Sequence, residues 1–449
     1  MYVCEAYGRY AAEYAHKELD RQVLHHAKRA VVDWYSALIS GAEMPAAQLL
    51  EKALAEDLDR GEARLALGRR ATVRAAALIN GTASHAAEVD DIFKHAIYHP
   101  GAPIISAALA MSQHRGASGL MFLRALTAGY EVSTRIGATM GRAHYRHWHN
   151  TGTVGTFGAA AAAGVLLGLD GKGMAHALAT AATFAAGLQQ AFKMDSMSKP
   201  LHAGRAAEGG VLAAMGAAHG ITGSLDVLEG EFGMGRAMSD GPDWQKALGD
   251  LEDTYNICQM TFKNHACCGH TFAPIDGALE LQRRHGIRSE DIERVRISTY
   301  SPALAVAGNP NPRTAAEARF SIPYVVATAL RYGSVRLTAF STERLADSGI
   351  RSLMARIDLD VHSELDAQFP GQRAALVRID TTDGQTYEYL QPTRKGDPDM
   401  ALTDEELQGK FDELVQPVLG VEAAKRVAQS LWQLEHLPKV GPLGADGSH

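Results

Sequence analysis

From Ala6 to about Gly220, apolar residues recur at three- and four-residue spacings with breaks at Gly or Pro, a period that predicts helices packed on helices. The clearest helices are expected over Gln22 to Ile39, Ala46 to Asp57, Ile104 to His114, Gly119 to Met140 and Thr153 to Leu169. Gly155 to Gly164 and Ala177 to Gly187 are dense in Ala and Gly, which lets helix backbones approach closely. The most apolar stretch, Val154 to Leu169, falls short of the roughly 20 residues a membrane span needs and reads as a buried helix. After about Pro274 the pattern changes. A helix from Ile275 to His285 precedes the alternating, β-branched Ile292 to Thr299, which reads as a strand. Ala374 to Leu390 carries a second β signal, with Asp383-Gly384-Gln385 as the turn of a hairpin. Ala315 to Tyr332 and Ser341 to Arg351 read as helices, and Thr403 to Leu434 returns to helix. The Gly- and Pro-rich tail from Leu437 to His449 reads as loose.

The expected fold is therefore mainly α, with a large helical domain formed by both chain ends and an inserted, smaller α+β domain holding an antiparallel sheet. The boundaries expected are 1–273 for the helical domain, 274–395 for the α+β domain and 396–449 for the returning helices. A chain of 449 residues exceeds what one hydrophobic core normally organises, which supports the division. Composition adds exclusions. A net charge of -7 argues against the broad basic surface that nucleic acid requires. Cys4, Cys258, Cys267 and Cys268 are too few and too unevenly placed for a secreted disulfide framework. The polar, amphipathic N-terminus lacks a signal-peptide pattern. A cytoplasmic enzyme without membrane or nucleic-acid partners is the expectation.

Polar clusters set in apolar, helical surroundings carry the candidate chemistry. The first is His85-Ala-Ala-Glu88-Val-Asp90-Asp91, followed by His95 and His99-Pro100-Gly101. Adjacent carboxylates push each other's pKa apart, supplying an acid and a base together; the competing reading is a solvated helix end with capping aspartates. The second runs from His144 through Tyr145 and His149 to Gly152, where Tyr145 and His149 would share a face if the segment were helical. The third, Ser198-Lys199-Pro200-Leu201-His202, places Lys199 at a helix start, where a carboxylate is favoured. In the fourth, Lys263-Asn264-His265-Ala266-Cys267-Cys268-Gly269-His270, the spacing does not suit a zinc chelate, and Lys263 with His265 could donate to a carboxylate. The fifth, Phe320-Ser321-Ile322-Pro323-Tyr324, is core by composition but offers a phenol. No phosphate-cradling glycine loop or nucleophile elbow is present, so neither nucleotide cofactors nor a serine hydrolase is indicated.

In this order and setting the clusters resemble the MmgE/PrpD family over nearly the whole chain. The most specific pieces are the acidic run before His99-Pro100, His149-Asn-Thr-Gly152-Thr-Val-Gly155-Thr-Phe-Gly158, Ser198-Lys199-Pro200-Leu201-His202-Ala203-Gly204 and Phe320-Ser321-Ile322-Pro323-Tyr324. The resemblance implies a homodimeric, cofactor- and metal-free enzyme acting on a small di- or tricarboxylic acid. It places active-site positions at Asp90, Asp91, His99, His149, Lys199, Lys263 and Tyr324. Glu88 stands where many members have aspartate, and the segment after Lys263 replaces a more usual proline-containing one.

Removing a proton beside a carboxylate builds charge that fixed cations such as Lys199 and Lys263 would stabilise. Asp91 or His149 would act as base, and His99 or Tyr324 as acid. Tyr145, His202 and His265 join Asp90 and Lys263 as candidate substrate ligands. A dehydratase-type lyase of the 2-methylcitrate kind is the first expectation. Epimerisation of an amino-dicarboxylate such as iminodisuccinate, decarboxylation of a cis-aconitate-like acid, and a carboxylate-binding protein without turnover are the alternatives.

Overall fold

Helices in the N-terminal part begin and end on the residues physics favours there. Asp20 accepts from the Val23 N–H and Ser118 from the Met121 N–H, meeting donors that a helix start leaves open. Gly116 and Gly168 close two helices at φ 66° and 70°, a left-handed conformation that costs a glycine little. The computed structural model describes residues 1–192, 194, 196–251, 253–369 and 371–441, in two units: 1–261 with 403–449, and 262–402.

In the first unit, α1 (Val3–Glu13), α2 (Arg21–Ala42), α3 (Pro45–Ala53), α4 (Val73–Ala86), α5 (Gly101–Arg115), α6 (Gly119–Tyr145), α7 (Asn150–Leu167), α8 (Gly171–Phe184) and α9 (Ser198–Ala218) follow one another. α7 is buried from Asn150 to Leu166 and packs against α5, α6, α8 and α9, which is why its sequence is apolar or small on every face. The C-terminal helices Asp404–Leu419 and Val421–Trp432 return to pack on α2. No described helix is long and apolar enough to cross a membrane.

Three local readings change. The expected Ala46 to Asp57 helix stops at Ala53, because Asp57 turns to Thr72, accepting from its N–H at 2.9 Å and its hydroxyl at 3.0 Å. That turn starts an antiparallel pair, β1 (Leu58–Arg64) and β2 (Arg70–Ala71), inside the domain expected to be all helical. β1 is mostly exposed and lacks the alternation that would have revealed it. The start of the supposedly loose tail is tied down. Gly119 N–H bonds Leu437 O at 2.9 Å, Val440 N–H bonds Ala117 O at 2.8 Å, and Gln113 Nε2 donates to Gly441 O; residues 442–449 lie outside the described ones.

The second unit holds a sheet in the order β4-β3-β5-β6, from β3 (Ile292–Thr299), β4 (Ile357–Val361), β5 (Ala375–Thr381) and β6 (Thr386–Gln391). Burial alternates along β5, and its inner residues Val377 and Ile379 face the helix Phe272–His285. The hairpin is as read, with Ala375 opposite Gln391 and Gly384 at φ 82° in the turn. The sheet is mixed rather than purely antiparallel: β3 pairs β4 in parallel, Val295 opposite Ile357. A helical crossover separates these two strands, as a parallel pair requires, and β4 is too short and exposed to announce itself. Helix readings there break where side chains cap anew. Ser321 caps Ile322–Tyr332, splitting Ala315 to Tyr332, and Asp347 caps Ser348–Met354, splitting Ser341 to Arg351. Residues 262–273, expected with the helical domain, group with this unit: Phe262 N–H bonds Gly396 O, Ala266 N–H bonds Val335 O and Cys268 N–H bonds Arg319 O.

α9 is held between α4 and α7 by glycines. A Cβ on Gly81 would sit 2.8 Å from the Cα of Gly204, and one on Gly204 would overlap the Leu78 carbonyl and the Thr82 hydroxyl. This crossing sets where the first turn of α9 presents Lys199 and His202. Gly204→Ala is therefore expected to destabilise the protein by about 1–3 kcal/mol, as overpacking does. Urea unfolding checks it, and a midpoint equal to that of the parent would contradict the packing argument.

Candidate active site

The connection from α4 to α5 carries the candidates Asp90, Asp91 and His99, and its backbone is strained. Glu88 has φ 60° and Ile97 φ 49°, uncommon for any residue with a Cβ and more so for a β-branched one. Surrounding hydrogen bonds hold it there. Ile92 and Thr261 exchange backbone bonds at 2.8 and 2.9 Å, Phe93 N–H bonds Tyr98 O at 2.7 Å, and Asn150 Nδ2 donates to Ala96 O. Lys410, from the C-terminal helix, is buried and donates at 2.6 Å both to Asp33 of α2 and to the Val89 carbonyl. These anchors aim Glu88, Asp90 and Asp91 in three directions.

Asp90 is buried and turns to histidines. His85 Nδ1 lies 2.7 Å from its Oδ2 and His99 Nδ1 3.3 Å from the same oxygen. Burial opposes ionisation, but the two imidazoles outweigh it and hold the carboxyl well below the usual carboxylate range. Asp91 turns the other way, accepting from Gly101 N–H at 2.9 Å and from the Tyr130 hydroxyl at 2.8 Å. Burial, with Asp33 and Asp90 nearby, pushes it up to about 8. The adjacent aspartates thus diverge, one an anion and one holding its proton at neutral pH.

Beyond His85 the imidazoles continue. His149 stacks on His85 with centroids 5.5 Å apart, and its Nδ1 is 3.1 Å from His202 Nδ1. One ring must donate and the other accept, which fixes their tautomers against each other. Burial first, then His85, Lys199 and neighbouring imidazoles, drive His149 well below its ordinary value; burial, His85 and Lys199 take His202 to about 4. Both are neutral at pH 7. Phe192 edges onto His149 at 4.9 Å, and the Lys199 ammonium lies 5.2 Å from the Phe192 ring. Lys199, in the first turn of α9, also pairs with Glu88. The first unit thereby joins Asp90, His99, His149, Lys199 and His202 in one constellation, with Asp91 behind it.

Tyr145 and His149 do not share a helical face. α6 ends at Tyr145, and His149 is the extended residue before α7, its N–H bonded to Gly187 O while Trp148 bridges to Leu188. Lys263, His265 and Tyr324 belong to the second unit and are buried there. His265 Nε2 is 2.8 Å from Asp276, and the Tyr324 hydroxyl donates to Ala339 O at 2.6 Å. The Cys267 thiol bonds Thr271 at 3.1 Å and is pushed up to about 12 by burial, which keeps it protonated and unsuited to a metal. His85, Asp90 and His99 offer three donor atoms within 4.8 Å of one another, close enough for a cation. The 2.7 Å His85–Asp90 contact is equally a proton bridge, as an imidazole–carboxylate relay needs.

Sequence reading had named His85 within its cluster but not as a site residue, and had passed over Phe192, Tyr130, Asp33 and Lys410. Lys410 left one signal, a lysine in line with Leu407, Phe411 and Leu414 on the buried face of its helix. Because Asp91 carries a proton at neutral pH, Asp91→Asn should shift stability by less than about 1 kcal/mol. Asp91→Ala strands the Tyr130 hydroxyl and Gly101 N–H, each costing about 1–3 kcal/mol. Denaturant unfolding at pH 7 separates the two, and equal losses would contradict the protonated assignment.

Family models match the chain almost end to end: the MmgE/PrpD N-terminal domain over residues 5–247 and the MmgE/PrpD C-terminal domain over 265–435. The cis-aconitate decarboxylase-like protein oryM of Aspergillus oryzae is 30% identical over 95% of this chain and 93% of its own length. The cis-aconitate decarboxylases of Homo sapiens and Mus musculus are each 28% identical over 80% of this chain, covering 77% and 76% of their lengths. Matched in both halves, the chain belongs to the MmgE/PrpD family, whose members among these relatives process carboxylic acids.

Proposed function

We propose that the protein is a lyase acting on a small polycarboxylic acid, with decarboxylation of a cis-aconitate-like substrate as its leading reaction. The observation that carries this reading is the run Asp90–His85–His149–His202, buried as far as His149 and ending beside Lys199. Loss of carbon dioxide leaves an electron pair on the carbon skeleton beside a remaining carboxylate. A fixed cation stabilises that charge, and a positioned acid must then protonate carbon. Lys199 is the cation. His149 is the proton carrier, with His202 able to exchange a proton at 3.1 Å. The names of the relatives favour decarboxylation.

The same groups would serve a dehydratase of the 2-methylcitrate kind, the first expectation from sequence: His149 takes the proton and His99, braced by Asp90, returns one to the departing hydroxyl. Epimerisation needs only the proton transfers. Products decide among them. In deuterated water, proton NMR with cis-aconitate, 2-methylcitrate, citrate and iminodisuccinate is expected to show loss of one carboxylate from the first and deuterium in the product. An alkene from 2-methylcitrate would establish the dehydratase instead, inversion with an intact skeleton the epimerase, and no change with any acid would sink the lyase reading.

His149→Gln should lower kcat by about 10²–10⁴, the range of general acid–base catalysis, with KM nearly unchanged. The pH dependence has a defined sign. A depressed pKa keeps an imidazole base deprotonated to lower pH, so in the dehydratase or epimerase direction kcat/KM should stay level below the ordinary histidine value of about 6.5. It should fall only toward the value of about 4 set for His202. An acid limb centred near 6.5 would show that neither His149 nor His202 is the base.

A further inference from the structure

The second unit contains a pair of arginines that its own fold does not satisfy. Arg394 is 1% exposed, and its Nε and Nη2 grip Asp397 at 3.0 and 2.7 Å. That bidentate pair is a sufficient structural role for two of its nitrogens. The remaining terminal nitrogen, Nη1, is buried with no hydrogen-bond partner, an expensive state for a charged donor. It looks toward Gly269, where an added Cβ would lie 2.8 Å from Nη1 with no other neighbouring atom within 4 Å. The missing Cβ at Gly269 makes room for this buried nitrogen, whose hydrogen-bonding capacity is unmet.

The walls of that space continue the theme. His270, next along the chain, shares a 2.8 Å hydrogen bond between Nδ1 and the Tyr300 hydroxyl. Tyr300 stacks on Phe369 at 4.7 Å, and the Arg373 guanidinium lies 5.9 Å from the same Phe369 ring. Among the described residues, Arg373 makes no hydrogen bond and no ion pair. Burial and the two arginines drive His270 to about 3, so it is neutral, and burial with Arg394 lowers Arg373 itself. The two guanidiniums are close enough to disfavour each other, and Arg394 is the one paired with Asp397. Arg373 is left without a carboxylate partner among the described residues.

We propose that Arg373 and Arg394, with Gly269, His270 and Tyr300, form a binding site for a small carboxylate within residues 262–402. A single carboxylate matches the residual charge and the planar donor geometry of guanidinium. A phosphate dianion would overshoot that charge. Every residue of the site lies outside the histidine constellation of the first unit, and the inference does not depend on the proposed reaction.

Titration calorimetry of the full chain with succinate, against inorganic phosphate at matched ionic strength, tests it. Succinate should bind saturably, and Lys199→Ala, which removes the cation of the first unit, should leave that binding in place. Arg373→Gln should weaken it by about tenfold or more, the effect of one lost charged hydrogen bond. Among the described residues Arg373 makes no hydrogen bond or ion pair, so this variant should melt no lower than the parent in anion-free buffer. Gly269→Ala, which keeps both arginines and fills the space before Nη1, should weaken binding as well. Unchanged succinate affinity in Arg373→Gln, loss of binding in Lys199→Ala alone, or equal affinity for phosphate would each overturn the assignment.

Discussion

The helical unit depends on compensating negative charge where water is excluded. Asp33, Asp90 and Asp91 are all buried, and like charges in such surroundings cannot remain ionised together without partners. Lys410 pairs with Asp33 and holds the Val89 carbonyl, two imidazoles hold Asp90 well below the usual carboxylate range, and Asp91 retains its proton. Each solution takes a group from a different stretch of chain. The C-terminal helix is thereby bound to α2 by an ion pair as well as by apolar packing, since its Lys410 meets the buried Asp33 carboxylate.

The strain at Glu88 and Ile97 belongs to the same account. A connection free to relax would let consecutive residues alternate or follow a helix, and neither would send Glu88 to Lys199, Asp90 to the histidines and Asp91 to Tyr130. A positive φ at Glu88 produces that divergence, and the bonds at Ile92, Phe93, Ala96 and Val89 keep it from relaxing. The glycines of α4, α7 and α9 do the corresponding work on the other side, bringing His202 against His149 by letting backbones approach.

Much of this was legible in the sequence, for identifiable reasons. Long helices announced themselves because their periodicity is one-dimensional, and the hairpin because Asp383-Gly384 marks a turn between alternating segments. Adjacent aspartates signalled divided protonation, though not which of them would ionise, since that follows from which carboxylate turns to His85 and which faces Asp33, brought from α2. β4 was hidden because a short, largely exposed strand takes its identity from its partner. The Asp33–Lys410 pair was hidden because the one local sign, a lysine in line with Leu407, Phe411 and Leu414, does not say which distant carboxylate it will meet. Whether Tyr145 and His149 share a face was left to the segment being helical, and it is not, because a helix boundary inside a polar run depends on a distant bridge, Trp148 to Leu188.

On the proposed reading, the electrostatics of the empty site also explain how a polyanionic substrate would prepare its own proton carrier. His149 is held neutral by burial and by cations, Lys199 among them. A substrate carboxylate that takes over Lys199 from Glu88 screens that cation and adds a negative charge near the imidazole. Both changes favour the protonated ring. The pKa of His149 therefore rises toward neutrality only when substrate is bound, the condition under which a group can both take and give a proton with little driving force lost. The same coupling withholds the proton from an empty site, so acid strength and occupancy change together through one lysine.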